Sequence, residues 1–183
     1  MNKKPLRGLA EREQLVRDLV NELHETDRRD TRDWFEMCAA MDSVGDTALV
    51  LDSKHWRRKS REFAPSYLRL YGLLEAIYSQ QKSILHLWEL HDVPRREFSP
   101  ASAWTRLRRL RNDLTAHSGS NAGSVSRISL RSPNLHIIRW SQRSSGPEFT
   151  DVPLDQLVES YLTAASRELD ALADHLSQLT KKS

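Results

Sequence analysis

Arg111-Asn112-Asp113-Leu114-Thr115-Ala116-His117 places a permanently charged guanidinium and a titratable imidazole near the end of one predicted helix. The guanidinium can neutralise charge on a phosphoryl group, and the imidazole can take up and return a proton near neutral pH. Spacing alone does not single out this stretch. The chain has 7 histidines, and Arg17 with His24 and Arg131 with His136 stand at similar separations. Position on the helix separates the three. At about 100° per residue, Ala103, Leu107, Leu110 and Leu114 share one arc with Trp104 at its edge. Arg111 projects inside that arc and His117 lies at its opposite margin. Arg17 and His24 fall away from the Leu15, Leu19 and Leu23 stripe, and the Arg131 pair falls in a predicted hairpin.

A guanidinium aimed at a packed face is costly unless it is paired or reaches water. Arg111 therefore needs a carboxylate, such as Glu75 or Asp155, or an incoming phosphate. Arg111 and His117 are separated by about 120° around a regular helix and about 9 Å along it, too far apart to clamp one small group. A two-fold axis beside this face would bring two copies of each around one cleft.

The segments that must position these residues are mainly helical. Leu15, Val16, Leu19, Val20 and Leu23 predict a first helix from about Leu9 to Glu25, and Asp30-Thr31 caps a second that runs to about Ser43. Residues 45–60 give a mixed signal, in which Ala48-Leu49-Val50-Leu51 suits a short strand, a helix or a packed loop. A long spine helix runs from Pro65 to about His91, before Pro94 stops it. Ser99-Pro100 opens the helix that carries the Arg111 segment, and Gly119 would end it just after His117. Val125 to Arg131 and Leu135 to Trp140 flank Ser132-Pro133-Asn134 as a hairpin, within about 124–142. From Pro153 an apolar stripe carries a long last helix. The fold class expected is an all-α bundle of four to five main helices, with a small β-hairpin inserted before the C-terminal helix.

Composition sets the outer limits. A chain of 183 residues with no internal repeat is long enough for one buried core, so a single domain over 1–183 is expected. Charged residues are 29% of the chain and the net charge is only +3, but the basic residues cluster at Arg57-Arg58-Lys59-Ser60-Arg61, Arg95-Arg96 and Arg106 to Arg111. Phosphates are met by local patches rather than by net charge. Solvated helix faces would account for the same clusters. The single cysteine, Cys38, sits in an apolar stretch, excludes an intramolecular disulfide and suits a reducing compartment. No stretch is apolar enough to span a bilayer, and the N-terminus lacks the apolar core of a signal peptide. A cytoplasmic protein with no membrane attachment is expected.

The Arg111 segment resembles the HEPN superfamily, small helical bundles marked by an Arg followed by a polar residue and, four to six residues after the Arg, a His. Arg111, Asn112 and His117 match that pattern, late in the penultimate long helix, and the order of elements over about 61–180 is similar. Residues 1–60, read as N-terminal helices, carry no specific motif of the family. The resemblance implies a homodimeric, metal-independent endoribonuclease of toxin–antitoxin or phage-defence type, with no cofactor, a composite site and an antitoxin or defence protein as partner. It implies that His117 acts as general base or acid and that Arg111 stabilises phosphoryl charge. Asn112 would orient the pair, and Asp113 would fix the His117 tautomer or form a surface salt bridge with Arg109. Attack by the 2′-hydroxyl would leave a 2′,3′-cyclic phosphate. Arg106, Arg108 and Arg109, with Arg57, Arg58 and Lys59, would guide single-stranded RNA. After His117 the chain continues Ser118-Gly119-Ser120, without the tyrosine that some HEPN toxins carry there.

A second class of function fits the same residues, namely a non-catalytic helical module that dimerises and binds a protein partner or nucleotide. A metallohydrolase does not fit, because His86 and His91 stand five apart on the spine helix, the wrong step for a shared face, with no acidic ligands beside them. Gly-rich phosphate loops and serine-nucleophile elbows are absent from the sequence.

Overall fold

The computed structural model describes residues 8–27, 31–53, 63–93, 97–115, 124–131, 134–141 and 146–181, with side chains left undescribed at 26–27, 31, 63–66, 115 and 124–141. Among the described residues there are five helices: α1 (Leu9–Asp27), α2 (Thr31–Asp52), α3 (Phe63–Leu90), α4 (Ala103–Thr115) and α5 (Leu154–Thr180). Strands β1 (Ser124–Arg131), β2 (Asn134–Ser141) and β3 (Glu148–Val152) lie between α4 and α5. This is the helical bundle expected from the sequence. The hairpin pairs Val125 with Trp140 and Leu130 with Leu135, and β3 adds a third antiparallel strand on β2. That third strand, not anticipated from sequence, is short and exposed up to Val152, so its residues show no buried alternation.

The chain forms two compact units, each built from separate stretches. The first comprises residues 1–54, 79–97 and 162–183, and so takes α1, α2, the second part of α3 and most of α5. Its core includes Val16, Val20, Met41, Val44, Ile84, Leu87, Leu169, Leu172 and Leu176. The buried face of α1 is Leu9, Glu13, Val16, Val20 and Leu23; of the expected apolar series, Val16, Val20 and Leu23 are buried and Leu15 and Leu19 are half-buried. Helix α2 continues through Gly45 to Asp52, nine residues beyond the expected end, and burial of Val44, Ala48 and Leu51 resolves the mixed signal as helix. Asp52 then accepts a hydrogen bond from the Ala10 N–H at the start of α1 (3.4 Å), which satisfies one of the open donors there.

The second unit comprises residues 55–78 and 98–161, with the first part of α3, α4, the sheet and the start of α5. Its buried apolar residues include Leu70, Leu73, Leu74 and Ile77 of α3, Trp104, Leu107, Leu110 and Leu114 of α4, Val152 of β3, and Leu157, Val158 and Tyr161 of α5. The α4 face is the one its 3.6-residue periodicity requires. Its N-cap is Ser102, whose Oγ accepts from the Thr105 N–H (3.2 Å). Ser99, the expected cap, instead closes the preceding turn, with its carbonyl accepting from Ser102 N (2.9 Å) and its Oγ from Ala101 N (3.3 Å).

The end of α3 has a cause additional to Pro94. Val93 N donates to Trp88 O and Asp92 N to Glu89 O, both at 3.1 Å, and Asp92 adopts φ 55°. This hydrogen-bond pair and left-handed residue form a Schellman cap, which stops the helix before the proline is reached.

Candidate functional site

In the second unit, polar residues of α4 meet polar and aromatic residues of the first part of α3. Tyr67, Tyr71, Glu75 and Tyr78 recur along α3 at steps of four, four and three, which keeps them on one side of the helix. Arg111 meets this stripe. Its Nε donates to Glu75 Oε1 at 2.8 Å and its Nη2 to Glu75 Oε2 at 3.2 Å, a two-pronged pair. Its Cζ lies 4.4 Å from the centroid of the Tyr78 ring, within cation–π range. Nη1 donates to Asn112 Oδ1 at 3.3 Å. The hydrogen bond it donates to Glu75 raises the Arg111 pKa further above its ordinary value, against a smaller opposing effect of burial. The guanidinium therefore stays charged.

Of the two carboxylates that the sequence offered Arg111, Glu75 is the partner, while Asp155 stands exposed in the first turn of α5. Arg108 approaches the same tyrosine, with Cζ 5.8 Å from the Tyr78 centroid. Arg106, Arg108 and Arg109 are exposed and Asp113 is half-buried. The structure thus brings Arg111, Asn112 and Arg108 together around Tyr78 and Glu75. His117, Arg57, Arg58 and Lys59 lie outside the described residues.

Tyr71 holds the last turn of α4. Its hydroxyl donates to the Leu114 carbonyl at 2.6 Å and accepts from the Tyr67 hydroxyl at 3.0 Å. Leu114 is three residues before His117 in sequence. Burial, aided by the Tyr67 hydroxyl, pushes the Tyr71 pKa up to about 12, so the phenol keeps its proton and remains a donor. Sequence periodicity assigned Tyr71 and Tyr78 to the apolar stripe of the spine helix. Their hydroxyl and ring roles become visible only when α4 is placed against them, although a Tyr-x3-Tyr-x3-Glu-x2-Tyr run is a recognisable polar edge.

In the first unit a second polar cluster lies in a cavity of about 530 Å³ between α1 and α2, lined by Glu13, Arg17, Asp42, Asp46, Gly45 and Leu49 among others. Arg17 bridges Glu13 (2.7 Å) and Asp42 (2.9 Å). Burial pushes the Glu13 carboxyl above its ordinary value, even though Arg17 pulls it down. Arg17, which stands before His24 at a similar Arg/His separation, is thus paired with one buried acid, Glu13, and one exposed acid, Asp42.

The histidines of the spine helix divide as their positions suggest. His86 lies near Glu36 (3.5 Å) and Glu89 (3.8 Å), while His91 is buried. Among the described residues no group of three or more His, Cys, Asp or Glu is placed to hold a metal ion, and no helix is long and apolar enough to cross a membrane. Cys38 is a half-buried thiol.

No family model, curated protein or solved structure matches this chain.

Proposed function

We propose that the chain is a metal-independent endoribonuclease of the HEPN kind, cutting single-stranded RNA by attack of a ribose 2′-hydroxyl on the adjacent phosphodiester. The observation that carries this reading is the partly exposed Arg111 guanidinium, mounted on Tyr78 with Asn112 bonded to it, six residues before His117 in sequence. Arg111 would stabilise charge on the phosphoryl oxygens, and His117 would move the proton of the 2′-hydroxyl or of the leaving 5′-oxygen. The products are a 2′,3′-cyclic phosphate and a 5′-hydroxyl. Arg106, Arg108 and Arg109, with Arg57, Arg58 and Lys59, supply cations to guide the backbone. Two chains contribute one Arg111 and one His117 each to a shared cleft, and the biological setting is a toxin–antitoxin or phage-defence system.

Purified protein incubated with end-labelled single-stranded RNA in EDTA should release cyclic-phosphate products. His117→Ala and Arg111→Ala should each lower the rate by at least about a hundredfold. Absence of cleavage at any pH, or cleavage indifferent to His117→Ala, sinks the proposal.

One observation favours a second reading, a non-catalytic module that dimerises and binds a protein partner or nucleotide. The Nε/Nη2 edge of Arg111 is already bonded to Glu75, as an arginine with a purely architectural role would be. On this reading Arg111→Ala and His117→Ala alter assembly or ligand affinity, and no RNA product forms.

A further inference from the structure

Arginine recognises carboxylates and phosphates with the same fork of parallel N–H donors. In Arg111 that fork is Nε and Nη2, and the Glu75 carboxylate fills it. The pair is not sealed: the Glu75 side chain is 46% exposed, so water can solvate the carboxylate if it swings away. The guanidinium also has a support that does not depend on Glu75, the Tyr78 ring at 4.4 Å. Arg108 lies near the same ring at 5.8 Å.

We propose that Glu75 is the internal competitor of the anion that Arg111 receives. In the resting chain its carboxylate occupies the Nε/Nη2 fork; a phosphodiester of single-stranded RNA exchanges with it and takes the same two donors, while Tyr78 keeps the guanidinium in place. This rests on the reading that Arg111 meets an RNA phosphate, and adds to it a resting state built from the protein's own side chain. The apparent affinity for RNA is then reduced by the fraction of time the fork is occupied.

The test is fluorescence anisotropy of a 5′-labelled oligouridine RNA, at fixed salt, in a His117→Ala background so that the probe stays intact. Glu75→Gln keeps the shape and removes the charge, and should bind about three- to tenfold more tightly. The gain should vanish when Arg111→Ala is added, because the competition runs through that side chain. Glu75→Ala, checked by its melting curve, should behave like Glu75→Gln. If Arg111→Ala weakens binding but Glu75→Gln does not tighten it, the competition is overturned while the RNA reading stands. An equal gain with and without Arg111 also overturns it, since the effect is then general charge repulsion. If Arg111→Ala leaves binding unchanged, the RNA reading itself fails and takes the competition with it.

Discussion

Arg111 and Arg17 are equally exposed, 26% at the side chain in both cases, yet their ion pairs are of different kinds. The difference lies in the acids. Glu13 is 9% exposed beside Arg17, whereas Glu75 is 46% exposed beside Arg111. A buried carboxylate has lost its water and depends on its counter-ion, so the Arg17 cluster is bound into the packing of α1 on α2. A half-exposed carboxylate can recover water when its partner leaves, so the Arg111 pair is exchangeable at small cost. Arginine exposure alone does not distinguish an architectural pair from a receptive one; the environment of the acid does.

The sharpest way to break this comparison is to delete each arginine. Arg17→Ala should cost about 1–3 kcal/mol of stability by leaving Glu13 buried without its cation, whereas Arg111→Ala should cost less than about 1 kcal/mol. Parallel urea melts decide it, and equal losses would show that the two pairs are alike. The Arg17→Ala loss should be partly recovered by adding Glu13→Gln, because no buried charge is then left behind.

A smaller effect concerns pH. Glu13 has a folded-state pKa raised above its ordinary value of 4.5, so the stability tied to its protonated form is present below that value and lost as pH rises through the folded pKa. Glu13→Gln cannot ionise. Its melting temperature relative to the parent chain should therefore climb between pH 4 and neutrality, over a range of about three pH units; a difference that falls over this range contradicts the assignment of burial as the dominant influence on Glu13.

The most local effect is expected at the end of α4. Tyr71→Phe removes the donor to Leu114 and should cost about 0.5–1.5 kcal/mol. Amide hydrogen exchange in the last turn of α4 should rise in that variant, while exchange in α1 and α2 stays unchanged. Unaltered protection of that turn would remove Tyr71 as its anchor.

Much of the fold was legible in the chain. The apolar repeat Trp104, Leu107, Leu110, Leu114 specified the buried face of α4, and the β-branched runs around Ser132-Pro133-Asn134 specified the hairpin, because each signal is local and has the period of its element. The site was legible in part. Arg111 on the margin of an apolar face required a partner, and Glu75 was one of two acids named for it. Where the local signal was incomplete, the cause was the same. In α1 a buried carboxylate, Glu13, shares the buried face with Val16, Val20 and Leu23, with Arg17 within reach. In α2, Gly45 and a mixed composition obscured a helix that the burial of Val44, Ala48 and Leu51 sustains. Tertiary contact outweighed local propensity in both places.

By itself the sequence determined that the protein is mainly helical, that Arg111 and Asn112 lie in one helix with His117 five residues further along the sequence, and that an arginine on that face needs an anion. Only the tertiary structure decided which anion it has, because Glu75 and Asp155 are both far from Arg111 along the chain and their distances depend on how α3, α4 and α5 pack. It also decided that Tyr78 supports the guanidinium, that Tyr71 ties down the turn before His117, and that Arg17, a similar residue in sequence terms, is locked to a buried acid. Periodicity places a side chain on a face; what lies across from that face is set by the packing of another element.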